Sequence, residues 1–187
     1  MPRSSPTSNA CKRRRRACLL LGALLSLAGV EGATAMAEEP AKSLEERIDR
    51  AESRTAIADL VHAYARHIRH DEPDQVAALF TPDGWFEIRD GHPDRPDYTV
   101  RERLGSPAQI DAHLAPNKGK PHPIPLIHNL TVTVDGDTGT ANSVMEAQIY
   151  GSAHKVIGEY CDTFRRIDGR WYFASRTYTI FKGGSSL

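Results

Sequence analysis

Cysteine is nearly absent from this chain: there are three in 187 residues, and Cys11 and Cys18 fall within the first 37. Removal of that segment would leave Cys161 alone, so the processed monomer is expected to carry no internal disulfide and to rely on its core. No Cys-x-x-Cys pair, glycine-rich phosphate loop or nucleophile elbow occurs, which counts against redox, nucleotide and acyl-enzyme chemistry. No internal repeat is visible. The apolar run from Ala17 to Val30 holds fourteen residues, short of the roughly 18 to 20 that span a bilayer.

That run is better explained by its flanks. Lys12 to Arg16 are five consecutive cations before it, and Ala35-Met36-Ala37 is a small-x-small exit after it. A basic, then apolar, then small-residue order is the layout of a secretory signal peptide. Residues 1–37 are therefore expected to be cleaved, leaving 38–187 as one exported domain, periplasmic or secreted. Removing them leaves 18 basic and 23 acidic residues, a net charge near −5. Without a basic surplus, neither nucleic acid nor, after cleavage, a membrane surface is an expected partner.

Ser43-Leu44-Glu45-Glu46 is a capping-box pattern opening a helix. Apolar positions Leu44, Ile48, Ala51, Ile57, Leu60, Val61, Tyr64, Ala65 and Ile68 keep helical spacing to about residue 70. A short helix follows Pro73, Thr81 to Gly84 form a turn, and Trp85 to Ile88 a strand. Asp90 to Asp97 is a polar loop, Tyr98 to Leu104 a returning strand, and Ser106-Pro107 starts a helix to Leu114. Ala115 to Pro125, with three prolines, reads as an exposed loop or pocket lid. Strands then alternate over Leu126–Val134, Thr138–Tyr150, Val156–Ile167 and Arg170–Phe181. Helices followed by long antiparallel strands are the α+β signature.

Tyr160, Asp162 and Phe164 share one strand face. A carboxylate between two aromatics on an inward face is a candidate acid–base group, because burial raises its pKa. Pairing with Arg176 on the neighbouring strand is the structural alternative. His128 opens a strand with Leu130 and Val132 on its face, and is either a capped core histidine or a base. Tyr64 sits on the apolar helix face. His62, His67, His70, Asp71 and Glu72 gather at the helix end, and His67 and His70 share a face. No second cluster supplies matching ligands, so no metal or other cofactor is expected. Both faces of the later strands carry apolar groups, Val144 and Tyr150 on one and Met145 and Ile149 on the other, which predicts a homodimer through the sheet's outer face.

Leu79-Phe80-Thr81-Pro82-Asp83-Gly84, His128-Asn129-Leu130 and Arg166-Ile167-Asp168-Gly169-Arg170-Trp171, in this order, resemble the SnoaL-like family of the nuclear transport factor 2-like superfamily. The resemblance runs from about Ser43 to Phe181. It implies a cone-shaped, curved antiparallel sheet packed against the N-terminal helices, with a ligand pocket at the open end. Scytalone dehydratase, bile-acid 7α-dehydratase and hexachlorocyclohexane dehydrochlorinase share this look. By that resemblance His128 is the base, Asp162 its orienting partner or the acid, and Tyr64 a hydrogen-bond donor to substrate oxygen. Trp85, Phe86, Tyr160, Phe164 and Arg69 are expected to line the pocket. Arg69 stands where many members carry an aspartate, five residues after the tyrosine; Asp71 replaces it only if the helix end shifts by about half a turn. The expected function is a cofactor-independent lyase or isomerase acting on a small hydrophobic or carbonyl-containing molecule. The rival is a non-catalytic binding or dimeric assembly module of the same fold.

Overall fold

The computed structural model describes residues 43–93, 97–149 and 151–182; residues 1–37, expected to be a cleaved signal peptide, and Tyr150 lie outside them. Helix α1 spans Leu44–Arg69 and opens with a complete capping box. Ser43 Oγ accepts from the Glu46 amide at 3.2 Å, and the Glu46 carboxylate accepts from the Ser43 amide at 2.9 Å. Ser53, Ile57, Leu60, Val61 and Tyr64 form its buried stripe. The helix ends at His70, and Asp71 then takes a left-handed conformation, φ 58°. That turn feeds α2, Pro73–Ala77, whose first residue needs no amide donor.

Six strands follow with α3 among them: β1 Phe80–Gly91, β2 Tyr98–Leu104, α3 Pro107–Leu114, β3 Pro123–Asp135, β4 Thr138–Ile149, β5 Lys155–Ile167 and β6 Arg170–Phe181. A 3₁₀ turn at Ala115–Asn117 leads from α3 towards β3. The strands form one curved, unclosed sheet in the order β2-β1-β6-β5-β4-β3. Every pairing is antiparallel except β1 with β6, which is parallel. The first and last strands of the main run thus close side by side. The expected turn at Thr81 to Gly84 is instead an irregularity inside β1, between Phe80 and Trp85. The β5–β6 hairpin turns at Asp168 and Gly169, both at positive φ, as a two-residue turn between twisted strands requires.

The α1 stripe packs on the inner face against Phe80, Phe86, Tyr160, Phe164, Trp171 and Phe173. Burying Ile57 or Val61 completely stabilises the domain by roughly 1.5–3 kcal/mol each. Met145 also faces this core, at 1 % exposure. The outer face is mixed, with apolar groups on some rows and hydroxyls on others. One row, Thr133–Thr140–Thr163–Ser175, crosses four strands in register. Beside Ser175, Trp85 is covered by the Arg103 guanidinium at 3.9 Å. Val144 is half-buried between His128 and Glu159. A second row, Leu126–Glu146–Ile157, leaves Leu126 48 % and Ile157 49 % exposed on the same face, so the described outer surface carries large apolar groups beside its hydroxyls and ion pairs. Cys161 lies on β5, while Cys11 and Cys18 lie outside the described residues.

Gly158 decides how close β5 and β6 can lie. A Cβ built there would press on the Thr179 carbonyl oxygen and lie 2.8 Å from Tyr178 Cε2. Because one obstacle is backbone, a side chain must move the strand. Gly158→Ala is expected to destabilise the fold by about 1–3 kcal/mol and displace Tyr178. Urea unfolding measures the first and tyrosine ring shifts the second; unchanged values for both would refute the contact.

Candidate functional site

A cavity of about 320 Å³ opens between the C-terminal half of α1, α3, residues 117–123 and the inner face of the sheet. Phe86, Ile88, Met145 and Val156 supply apolar wall, and Tyr64, Tyr160 and Tyr178 line it beside them. The size fits a small organic ligand. Packing holds the rings: Tyr64 meets Tyr160 edge-on at 6.0 Å, and Tyr160 lies 5.2 Å from Tyr178. Burial pushes all three phenols above the usual tyrosine value. They therefore remain hydrogen-bond donors at neutral pH.

This has a measurable consequence. A group whose folded pKa is raised prefers its neutral form in the fold, so its contribution is complete below the unfolded pKa of about 10 and is lost as pH rises past it. The tyrosinate absorbance of Tyr64, Tyr160 and Tyr178 should appear together with alkaline unfolding. Ionisation near pH 10 in a protein that keeps its near-ultraviolet circular dichroism would contradict this.

The polar rim is built from histidine–carboxylate pairs. His67 Nδ1 lies 2.6 Å from Glu72 Oε2. A carboxylate only accepts, so Nδ1 is the donor in this contact, and in the neutral tautomer it selects the lone pair falls on Nε2. His67 comes from the last turns of α1; Glu72 caps α2 and reaches back because of the left-handed turn at Asp71. His122 Nδ1 lies 3.4 Å from Asp71 Oδ1, and His113 Nδ1 3.2 Å from Glu102 Oε2. Arg101 also faces the cavity, held by Asp90 at 2.7 Å.

Several residues stand elsewhere than the sequence suggested. His128 is exposed on the outer face, paired across the ladder with Val144. The β3–β4 register slips between His128 and Thr131, and Asn129 has φ 51°. This bulge breaks the alternation: Leu130 and Val132 turn inward and His128 does not. Asp162 is 3 % exposed on the inner face and bonds Arg176 bidentately, at 2.9 and 2.8 Å. His128 and Asp162 therefore lie on opposite faces and are not brought together. Arg69 is exposed and outside the cavity wall, while Asp71 reaches it. Trp85 lies on the outer face, and Phe164 is core, 4.9 Å from Phe173. Tyr64, Phe86 and Tyr160 do line the cavity.

Arg176 and Asp162 lie beneath the cavity floor, both side chains wholly buried. The guanidinium sits 4.1 Å over Tyr64, 4.0 Å over Tyr160 and 4.4 Å over Phe173. Its Nη1 has no hydrogen-bond acceptor; aromatic faces surround it instead. Burial pushes the Asp162 carboxyl up while Arg176 pulls it back down. The pair supports the two tyrosines from below.

One signal for His67 was present in the sequence, its position three residues after Tyr64 on one helix face. Nothing local marked His113 or His122, which reach the cavity only through the tertiary fold.

Residues 49–177 match the SnoaL-like domain family. No curated protein matches the chain. Among solved structures, a candidate scytalone dehydratase from Novosphingobium aromaticivorans is similar at TM-score 0.56 and 19 % identity, covering 75 % of this chain and 93 % of that one. A nuclear transport factor 2-like protein with a cystatin-like fold from the same organism gives TM-score 0.59 and 22 % identity over 76 % and 90 % of the two chains. The beta subunit of a candidate aromatic-ring-hydroxylating dioxygenase, again from that organism, gives 0.59 and 20 % over 73 % and 94 %. At these identities the likeness shows a shared fold.

Proposed function

We propose, from the premise that this chain belongs to the SnoaL-like domain family, that its cavity is the site of a cofactor-independent elimination or isomerisation beside a carbonyl. The observation that carries this reading is the His67–Glu72 pair at 2.6 Å on the wall of a tyrosine-lined cavity. His67 Nε2 takes the proton α to the substrate carbonyl, with Glu72 holding the ring and balancing the imidazolium. Charge that develops on the carbonyl oxygen is met by a tyrosine hydroxyl, whose buried, neutral state makes it a donor. In an elimination the C–O bond to a β-hydroxyl then breaks, and His67 returns its proton to the departing oxygen as water. In an isomerisation the proton returns to a different carbon.

A panel of small cyclic β-hydroxy ketones, followed by the rise of conjugated-enone absorbance, tests this. Turnover that depends on His67 supports it. Saturable binding with no turnover and no exchange of the α-proton into D₂O favours the binding or assembly module instead. The solvent-facing Arg69, in place of the acid common among relatives, favours that second reading.

Two further properties belong to the same proposal. The mature protein begins at or near Glu38 and is exported; an intact amino terminus on the native protein, found by mass spectrometry in the cytoplasm, would exclude this. It also pairs through the outer sheet face, where the exposed Leu126 and Ile157 would supply apolar contact beside the threonine row. Sedimentation at micromolar concentration giving only monomer would count against pairing.

A further inference from the structure

Residues 115–122 run from the end of α3 along one side of the cavity, with Asn117, Lys118 and His122 on its wall. Two side chains fasten this segment to the end of α1. Asp71 Oδ2 accepts from the Gly119 amide at 3.1 Å. His122 makes the second attachment: Nε2 lies 3.0 Å from the Ile68 carbonyl oxygen, in the last turn of α1, and Nδ1 lies 2.8 Å from the Lys120 carbonyl oxygen.

Both oxygens facing the ring can only accept. A neutral imidazole has one N–H and one lone pair, so one contact would set lone pair against lone pair. The imidazolium donates to both. Its surroundings suit a cation: Asp71 Oδ1 lies 3.4 Å from Nδ1, and the C-terminal end of α1 presents the negative end of its dipole. From the other elements around the cavity, Glu72 adds a second carboxylate, already bonded to His67, while His113 is occupied with Glu102. Lys118 and Lys120 oppose it from the segment itself. The ring is only 15 % exposed, so water cannot readily replace a lost partner.

We propose that His122 is a protonation-dependent latch: as imidazolium it fastens residues 115–122 along the cavity, and on losing its proton it releases them. Proton loss and release are linked, so rising pH opens this side of the cavity and falling pH closes it. Control of access rests on the reading of this cavity as a ligand site. The latch itself does not, and its test needs no substrate.

The experiment is nuclear magnetic resonance of the full chain across the His122 titration. Long-range ¹H–¹⁵N correlations report the ring protons, and hydrogen exchange of the Gly119 amide, corrected for intrinsic rate, reports closure. On the acid side both His122 nitrogens should carry protons and Gly119 should be protected. On the alkaline side Gly119 protection should fall by roughly tenfold or more, the change for one charge-assisted hydrogen bond. Ile57 and Val61 should stay protected throughout. In His122→Ala, Gly119 should exchange fast at every pH. Equal Gly119 protection on both sides of the wild-type titration would overturn the latch, whether or not the variant folds. So would a singly protonated His122 ring in the protected state.

Discussion

Asp162→Asn is expected to destabilise the domain by about 3–5 kcal/mol, because it leaves the guanidinium of Arg176 charged and buried with no counter-charge. Domains of this size are stable by about 5–15 kcal/mol in all, so the loss is a large fraction of the total. The melting temperature should fall by roughly 10 °C or more. Replacing both partners with apolar residues, as in Asp162→Leu with Arg176→Met, should recover much of the loss, since no charge then needs solvation. The rings of Tyr64 and Tyr160 would still lose the cation that supports them, so ligand binding should weaken even where stability returns. An Asp162→Asn protein that melts within about 2 °C of wild type would show that the pair does not hold the core. Loss of turnover without loss of stability would restore an acid–base role to Asp162.

The second large effect concerns the rim. His67→Gln is expected to lower kcat by on the order of 10²- to 10⁴-fold while the fold stands, since a half-exposed rim residue is replaced by one of similar size. Glu72→Gln keeps the base but removes the carboxylate that orients it, and should lose less. The double variant should be little worse than His67→Gln, because the two act as a unit. His128→Ala, on the outer face, should leave kcat near the wild-type value, because the residue touches neither the cavity wall nor its rim. Steady-state kinetics on an active panel compound decide it. An active His67→Gln with an inactive His128→Ala would reverse the assignment made from the geometry.

The contrast between these two histidines shows why the site was less legible than the fold. His128 begins a strand and carries the family resemblance, and strict alternation from Leu130 and Val132 placed it inward. A one-residue bulge at Asn129 moves it to the other face. Asparagine adopts the left-handed conformation at modest cost, but nothing nearby in sequence demands it. His67 was visible among the residues at the end of α1, where it read as a metal ligand lacking partners. Its partner, Glu72, is brought back only by the left-handed turn at Asp71.

What the sequence determined by itself was what depends on local spacing. The capping box started α1, the 3.6-residue stripe set its buried face, Pro73 and Pro107 opened the next helices, and period-two alternation marked the strands that follow. The inward alignment of Tyr160, Asp162 and Phe164 on β5 was legible in the same way, because the irregularity between Thr163 and Phe164 puts its extra residue, Ala174, on β6 and leaves the alternation of β5 intact. Tertiary structure alone decided the rest. The parallel closure of β1 on β6 joins segments about ninety residues apart. Long-range packing likewise brings His113 and His122, from α3 and the segment beyond it, to the cavity shared with His67. Which face a side chain takes can follow from its neighbours in the chain. Which other side chains it meets there depends on bulges and long-range pairing, and those are fixed only when the whole sheet closes over its core.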